Sequence, residues 1–315
     1  MIRDYLFLAV FIAKHGAINP FVALLVVFLL NYENTGVQAH HNLKRIKSMD
    51  LFAICIPCSQ TKDYPFLEQF SASYFDDQIA RVKCDQGHDM AIIVRAPKFE
   101  LLLESGANAL KHNFTLEASA SFSAALERFF EFCTNVILKH LSMPPSLYKT
   151  MFNTMSRQSE RQLGSFFVLH ALVFGTAYEP NQKITEFRNA IIHKGMIPSP
   201  EKSKKFCDLV YSEIYKVSSL LIDNCKKEID MILNEEFSIR HSKIDKNVKV
   251  YKAERSSLFS ISGGNNKPTF EEAYENFNSF NKTLKEASRG LSMFQQFLKE
   301  NPEIMNKINE IRPYE

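Results

Sequence analysis

Four side chains that commonly bind metal ions lie close together near the start of the chain. Cys55 and Cys58 form a C-x2-C pair, and Cys84 and His88 form a C-x3-H pair in which Gly87 precedes the histidine. Two such pairs suit tetrahedral zinc, and four protein ligands leave no coordination position for water or substrate. A structural zinc ion is therefore predicted, with the ligands Cys55, Cys58, Cys84 and His88.

The residues around both pairs are of β type, among them Ile54, Val82 and the run 92–94. Gly87 would allow the backbone to turn sharply beneath the metal. This pattern resembles a zinc ribbon, and the alternative is three half-buried cysteines in a small sheet. The remaining cysteines fall within apolar helical patterns and are interpreted as buried thiols in a reducing compartment; they are Cys133, Cys207 and Cys225.

A second group of reactive side chains lies in the string TEFRNAIIHKGMIPSP at residues 185–200. It contains Arg188, Asn189 and His193, with an Arg-x4-His spacing. Histidine can act as general acid or base near neutral pH, and the arginine fork matches phosphate oxygens. The Asn189 amide could orient the arginine or the phosphate. These groups suit metal-independent RNA cleavage, in which the 2′-OH is the nucleophile.

The Arg-Asn-x3-His motif and its position among predicted helices resemble the HEPN superfamily (higher eukaryotes and prokaryotes nucleotide-binding). Its RNA-cleaving members carry an Arg-x4–6-His motif near a helix end, and the resemblance covers about residues 115–235. It implies a helical bundle, catalytic roles for Arg188, Asn189 and His193, and a composite site in a homodimer. It also implies an RNA substrate, products with 2′,3′-cyclic phosphate and 5′-OH ends, and a setting in phage defence or as a toxin.

The spacing of the motif limits how one chain can use it. Side chains five residues apart on a straight helix point about 140° apart, so Arg188 and His193 would meet poorly. Gly195 indicates that the helix ends near His193, which loosens the constraint, and dimerisation across a two-fold axis is a second solution. The alternative interpretation is the polar face of an ordinary helix, since Arg and His are favourable near its C-terminus. The chain would then be a non-catalytic HEPN module that binds RNA, a nucleotide or a protein.

Other polar side chains are weaker candidates for a role in the site. Glu127 and Glu131 lie four apart on the first long helix, and one could pair with Arg188, although solvated positions are the simpler interpretation. His170 lies among apolar residues and is interpreted as a core histidine. Three lysines after the motif could contact RNA backbone or simply begin a solvated helix; they are Lys202, Lys204 and Lys205.

Apolar periodicity predicts the helices that would position these groups. Helices are predicted over 97–112, 116–142, 146–177, 183–195 and from Ser199 to about 237. The second has an inward stripe of Phe122, Leu126, Phe129, Phe130, Cys133, Ile137 and Leu141. The fifth has an inward stripe of Phe206, Val210, Ile214, Val217, Leu221, Ile229 and Leu233.

A final helix is predicted from Thr269, because Glu272 three residues later completes a capping box. Its inward residues would include Phe270, Tyr274, Phe277, Phe280 and Leu284. The predicted fold class is mainly α: a HEPN-like bundle preceded by a small β zinc-ribbon-like module and an apolar N-terminal segment. The predicted divisions are 1–48 (apolar segment), 49–96 (zinc module), 97–237 (helical domain), 238–267 (linker) and 268–315 (C-terminal helix and tail).

The apolar segment at residues 5–30 is long enough to cross a bilayer, but Lys14 interrupts it and would cost about 2.5–3.5 kcal/mol at mid-span. Three interpretations remain: a membrane anchor, an interfacial or packed helical hairpin, and an extension ahead of a true start at Met49. Basic residues at 44–47 would place the body of an anchored chain in the cytoplasm. A cytoplasmic protein and a membrane-anchored scaffold are thus both open.

The overall composition excludes several classes of protein. Lys and Arg number 38 against 35 Asp and Glu, a net charge of +3, so a polybasic nucleic-acid binder is excluded. Only 10 glycines occur in 315 residues, which argues against glycine-rich nucleotide loops. We find no Walker loop, HExxH, GxSxG or dinucleotide fingerprint.

Overall fold

The fold is known from a computed structural model that describes residues 51–55, 57–58, 69–72, 74–84, 86–155, 159–253, 258–263, 268–279, 296–298 and 300–303. Its strands are β1 (Leu51–Ile54), β2 (Gln69–Ala72), β3 (Ile79–Lys83), β4 (Asp89–Val94) and β5 (Lys249–Ala253). Its main helices are α1 (Lys98–Lys111), α2 (Thr115–His140), α3 (Pro145–Met155), α4 (Ser159–Phe174), α5 (Gln182–Ile192) and α6 (Pro200–His241). A further helix, α7, spans 270–279. The prediction of a mainly helical protein with a small β module is confirmed at this level.

Helix α2 is the centre of the helical body, since it packs against α1, α4, α5 and α6. Most of its predicted stripe is buried, with Phe122, Phe129 and Ile137 fully inaccessible to solvent. Two members are exceptions: Leu126 is partly buried, and Leu141, which follows the last helical residue, is 44% exposed. All seven predicted inward residues of α6 are buried, so the helical periodicity correctly identified the main core.

The predicted helix boundaries are supported by the hydrogen bonds at the caps. The Ser199 hydroxyl accepts a bond from the Lys202 amide at 3.4 Å, at the start of α6. Thr269 and Glu272 form the predicted capping box, with the Thr269 amide donating to Glu272 at 2.8 Å. The predicted helix over 146–177 corresponds to α3 and α4, and residues 156–158 between them lie outside the described ranges.

The predicted linker at 238–267 contains regular structure. Helix α6 continues to His241, and β5 then pairs in parallel with β4, with Met90 opposite Lys249. Strand β4 also pairs antiparallel with β3, so the sheet order is β3-β4-β5. The central strand β4 is buried from Met90 to Val94. The linker prediction failed because the partner of β5 lies far away in the sequence.

Helix α7 packs on the body through Phe270 and Phe277, both nearly inaccessible, while Tyr274 is partly buried. The predicted inward residues Phe280 and Leu284 lie outside the described residues. So does the whole segment 1–48, including the apolar stretch at 5–30. Within the part of the chain that is described, no helix is both long and apolar enough to cross a membrane.

Candidate functional site

The four predicted metal ligands converge at one end of the β module. Cys55 follows β1, Cys84 follows β3, and His88 directly precedes β4. The sulfur and Nδ1 atoms of Cys55, Cys58, Cys84 and His88 all lie within 4.8 Å of one another. The two sequence pairs therefore meet although β1 belongs to a separate two-stranded sheet with β2.

The distances within this cluster match the edges of a coordination tetrahedron. Bonds of about 2.3 Å to sulfur and 2.0–2.1 Å to nitrogen give edges of about 3.8 Å between sulfurs and about 3.6 Å from sulfur to nitrogen. The Cys58 and Cys84 sulfurs are 3.7 Å apart. His88 Nδ1 lies 3.6, 3.2 and 3.4 Å from the sulfurs of Cys55, Cys58 and Cys84. The cluster could hold a metal ion.

The backbone at Gly87 and His88 turns close to Cys84. Gly87 has a φ of +84°, a conformation that glycine adopts without steric cost. Its amide donates to the Cys84 carbonyl at 2.9 Å, and the His88 amide donates to the Cys84 sulfur at 3.3 Å. A hydrogen bond from a backbone amide to sulfur stabilises a thiolate more than a thiol.

The three sulfurs are buried: Cys55 is 0%, Cys58 1% and Cys84 5% exposed. Burial raises the pKa of the Cys55 and Cys58 thiols above the ordinary value. Without a cation, thiolates would repel one another in a site of low polarity. A bound divalent cation removes the repulsion between thiolates and deprotonates the thiols. The four side chains are therefore better suited to holding a transition-metal ion than to remaining as free thiols and an imidazole.

The Arg188 motif lies on α5 and its C-terminal turn. Arg188 and Asn189 are helical, and His193 is the C-cap with φ −99° and ψ −27°. The Gly195 amide donates to the Ile191 carbonyl at 3.2 Å with a φ of +65°. Helix α5 thus ends at Ile192, with His193 as its C-cap and Gly195 in the turn that follows, so the predicted helix end near His193 is confirmed.

Arg188 is held by a neighbouring helix. Its guanidinium donates a hydrogen bond to the Glu127 carboxylate of α2, and each side chain is 31% exposed. Glu127 is one of the two glutamates considered as a partner, so the solvated interpretation was wrong for it. Glu131 instead pairs with Arg128. The ion pair fixes the direction of the Arg188 fork.

Arg188 and Asn189 line a small cavity of about 190 Å³ between α2, α4 and α5. Glu127, Gln162 and Glu213 also line it. His193 is not among its lining residues, and its side chain is exposed to solvent. The motif therefore presents two separate surfaces in one chain: an arginine that faces a cavity and a histidine that faces solvent.

Sequence reasoning missed the buried polar residues of this cavity. Glu213 is 8% exposed and accepts a 2.7 Å bond from the Tyr178 hydroxyl. Gln162 is 4% exposed, and its Nε2 makes no hydrogen bond within the described residues. Glu213 lies on the mainly apolar inner face of α6. A charged residue within that apolar stripe was the only feature of the sequence that could have indicated a buried polar group here.

The remaining candidates take structural positions. His170 is 4% exposed and its Nδ1 lies 2.9 Å from the Thr176 carbonyl, which confirms a core histidine. Lys204 is paired with Glu271 of α7. Lys202 and Lys205 are exposed near the start of α6.

Comparison of the chain with protein-family models, with curated proteins and with solved structures gives no match. The HEPN resemblance therefore stays a prediction from the motif and its helical setting.

Proposed function

We propose that this protein is a metal-independent RNA endonuclease of the HEPN type, with His193 as general acid or base and Arg188 as the group that stabilises the phosphorane. The observation that carries the proposal is the exposed imidazole of His193 on the same short helix as Arg188, whose guanidinium is oriented by Glu127. An RNA strand needs an exposed histidine, since a buried one could not reach the backbone of a polymer.

In the proposed reaction, the 2′-oxygen bonds to the adjacent phosphorus as its proton passes to a neutral imidazole. The bond from phosphorus to the 5′-oxygen breaks, and that oxygen receives a proton from an imidazolium. The products are a 2′,3′-cyclic phosphate and a 5′-OH. Arg188 has five N–H donors, so its bond to Glu127 leaves donors for phosphate oxygens. Asn189, the next residue, would orient the phosphate through its amide.

The separation of Arg188 and His193 favours a site made by two protomers. Five residues of helix turn the two side chains about 140° apart, and His193 is absent from the cavity that Arg188 lines. Ile192 and Ile197 flank His193 and are 50% and 76% exposed. A two-fold axis through this face would bury both isoleucines and supply two histidines, one for each proton transfer.

We also propose that the metal in the cysteine cluster is zinc and that residues 49–96 form a zinc-ribbon-like module. Three thiolates and one imidazole are a ligand set typical of structural zinc. Four protein ligands close the coordination shell, so the ion would stabilise the module rather than act on RNA. All six cysteines are free, as expected in a reducing compartment, and we propose a cytoplasmic location.

One observation favours a second candidate, a non-catalytic binding module. The Nε2 of Gln162, which has no hydrogen-bond partner among the described residues, is a buried donor at the wall of the cavity, and such a donor is normally satisfied by a ligand or by water. The cavity is smaller than ordinary ligand sites of about 300–1,000 Å³, so it would admit a group the size of one ring. Native mass spectrometry would detect a co-purifying small molecule that is lost in Gln162→Leu.

The test of the nuclease is cleavage of a mixed cellular RNA pool in EDTA by the purified chain. We compare the wild type with His193→Ala, Arg188→Ala and the control His112→Ala, which removes an exposed histidine that follows α1. We expect the wild type and the control to cleave, leaving cyclic-phosphate ends. Loss of a general acid or base should slow His193→Ala by about 10²–10⁴-fold.

Zinc content and far-UV circular dichroism are measured on the same samples, because EDTA can strip a structural zinc ion and unfold its module. Equal cleavage by the wild type and His193→Ala would contradict the assignment of the histidine. An absence of cleavage in samples that keep their fold and zinc would favour the binding module.

A further inference from the structure

A second group of metal-binding side chains lies away from both sites described above, where the end of α2 meets α6. It consists of His140, Cys225 and Glu228, whose ligand atoms all lie within 4.8 Å of one another. His140 is the last residue of α2, and the other two belong to α6. The group combines an imidazole, a thiol and a carboxylate on two helices.

Helix α6 is broken where this group forms. Cys225 has φ −133° and ψ 27°, outside the helical region. The side-chain amide of Asn224 donates to the Leu220 carbonyl at 2.8 Å and so satisfies an acceptor at the break. A side chain that enters the backbone ladder is a known cause of a kink. The break changes the direction of Cys225 relative to the rest of the helix.

The distance between His140 and Glu228 fits ligands of one ion better than a direct bond. His140 Nδ1 lies 3.5 Å from Glu228 Oε1, longer than the 2.7–3.2 Å of an ordinary N–H···O bond. Metal bonds of about 2.0–2.2 Å to nitrogen and oxygen give a tetrahedral edge of about 3.4 Å. The Cys225 sulfur needs to approach by at most about 1 Å to complete the third vertex.

The electrostatic setting also favours a cation. The carbonyl end of α2 carries the negative end of its dipole beside His140. Two nearby lysines are paired with other carboxylates, Lys139 with Glu235 and Lys226 with Asp230. The Glu228 carboxylate is 18% exposed and faces the imidazole, so it can accept a positive ion without displacing a lysine.

We propose that His140, Cys225 and Glu228 bind a divalent transition-metal ion of the zinc class. The mixed nitrogen, sulfur and oxygen donors favour zinc or cobalt over magnesium and calcium. Cys225 is fully buried and His140 is 38% exposed, so the ion would be anchored from the core with its fourth position open to water. As the metal–sulfur bond forms, the thiol proton leaves to solvent.

The test is the zinc content of the full-length protein after equilibrium dialysis against micromolar zinc. We compare the wild type with His140→Ala and Glu228→Gln, both partly exposed positions where folding should survive. The control is His112→Ala, at a comparable helix end. The wild type and the control should each hold one zinc ion more than the two variants. This difference does not depend on the cysteine cluster near β1 or on nuclease activity.

Cobalt binding would show whether the Cys225 sulfur is a metal ligand. Thiolate-to-cobalt absorption should grow with added Co²⁺ after zinc is exchanged, and Cys225→Ser should lose one cobalt–thiolate component. His140→Ala should weaken zinc binding at this site by at least about 10–100-fold, the loss usual even for outer-shell partners. Equal zinc content in the wild type and His140→Ala would overturn the proposal, as would a cobalt spectrum unchanged in Cys225→Ser.

Discussion

The close packing of α1 on α2 makes the effect of adding one methyl group at Gly106 calculable. A Cβ placed on Gly106 would lie 2.5 and 2.8 Å from two ring carbons of Phe122, and 3.2 Å from the Ala118 carbonyl oxygen. Phe122 is fully buried, and its ring meets Phe270 of α7 edge-on with centroids 5.9 Å apart. Because the ring is fully buried, it can move only if its neighbours, which include Phe270 of α7, repack.

Two opposed terms set the magnitude for Gly106→Ala. Alanine is more favourable than glycine in a helix by about 0.5–1 kcal/mol, whereas overpacking a core costs about 1–3 kcal/mol. The contacts below 3 Å place Gly106 in the upper half of the second range, so we expect a net loss of about 1–2.5 kcal/mol in the free energy of unfolding.

Gly164 is the matched control. It lies in α4, and a Cβ there would have no neighbour within 4 Å, so Gly164→Ala should gain about 0.5–1 kcal/mol. Urea denaturation of both variants, followed by circular dichroism, measures the two free energies. A stabilised Gly106→Ala would refute the α1–α2 packing, and a destabilised Gly164→Ala would refute the placement of Gly164 on the solvent-facing side of α4.

Three further predictions follow from the site and its supporting core. The Glu127–Arg188 pair, about one third exposed, should show a coupling of about 0.5–1 kcal/mol in a double-mutant cycle of stability; a value near zero would mean that the pair does not hold the arginine. Burial raises the pKa of Glu100 in the folded protein well above its usual value. The folded state therefore loses stability as the pH rises from the pKa of this carboxyl in the unfolded chain toward its raised pKa in the folded protein. Glu100→Gln should remove this loss, which is up to about 1.4 kcal/mol per pH unit. Unfolding curves at pH 5.5 and 7.5 measure the change in the free energy of unfolding for the wild type and the variant, and an equal change in the two proteins would contradict the prediction. Ile197→Asp should yield a folded monomer by sedimentation if the proposed dimer face is correct, whereas the exposed Ile239→Asp should leave the mass unchanged.

Features encoded by local sequence could be predicted, because one helix or turn contains all the necessary information. The stripe of α6 from Phe206 to Leu233 needed only a period of 3.6 residues. The cap at Ser199 and the turn at Gly195 needed only residues with suitable backbone preferences. The metal ligands were found for the same reason, since each pair lies within one turn.

Contacts between distant parts of the chain could not be predicted in this way. Strand β5 is mostly exposed and carries two lysines in KVYKA, so its sequence resembles a linker. Its identity as a strand depends on the edge of β4, some 160 residues earlier. The Glu127–Arg188 pair likewise joins two helices, and no local pattern chooses Glu127 over Glu131.

The pairing of β4 with β5 has a consequence for the metal cluster. His88 directly precedes β4, and β4 is hydrogen-bonded to a strand that follows α6. Arg240 near the end of α6 donates to the Val94 carbonyl at 3.3 Å, and Arg95 donates to Asn234 of α6 at 2.9 Å. The β module is thus joined to the helical body through α6 and β5. If the cysteine cluster binds the proposed metal ion, removal of the ion would release the end of β4 that holds His88, and the disturbance would pass into β5 and the last turns of α6.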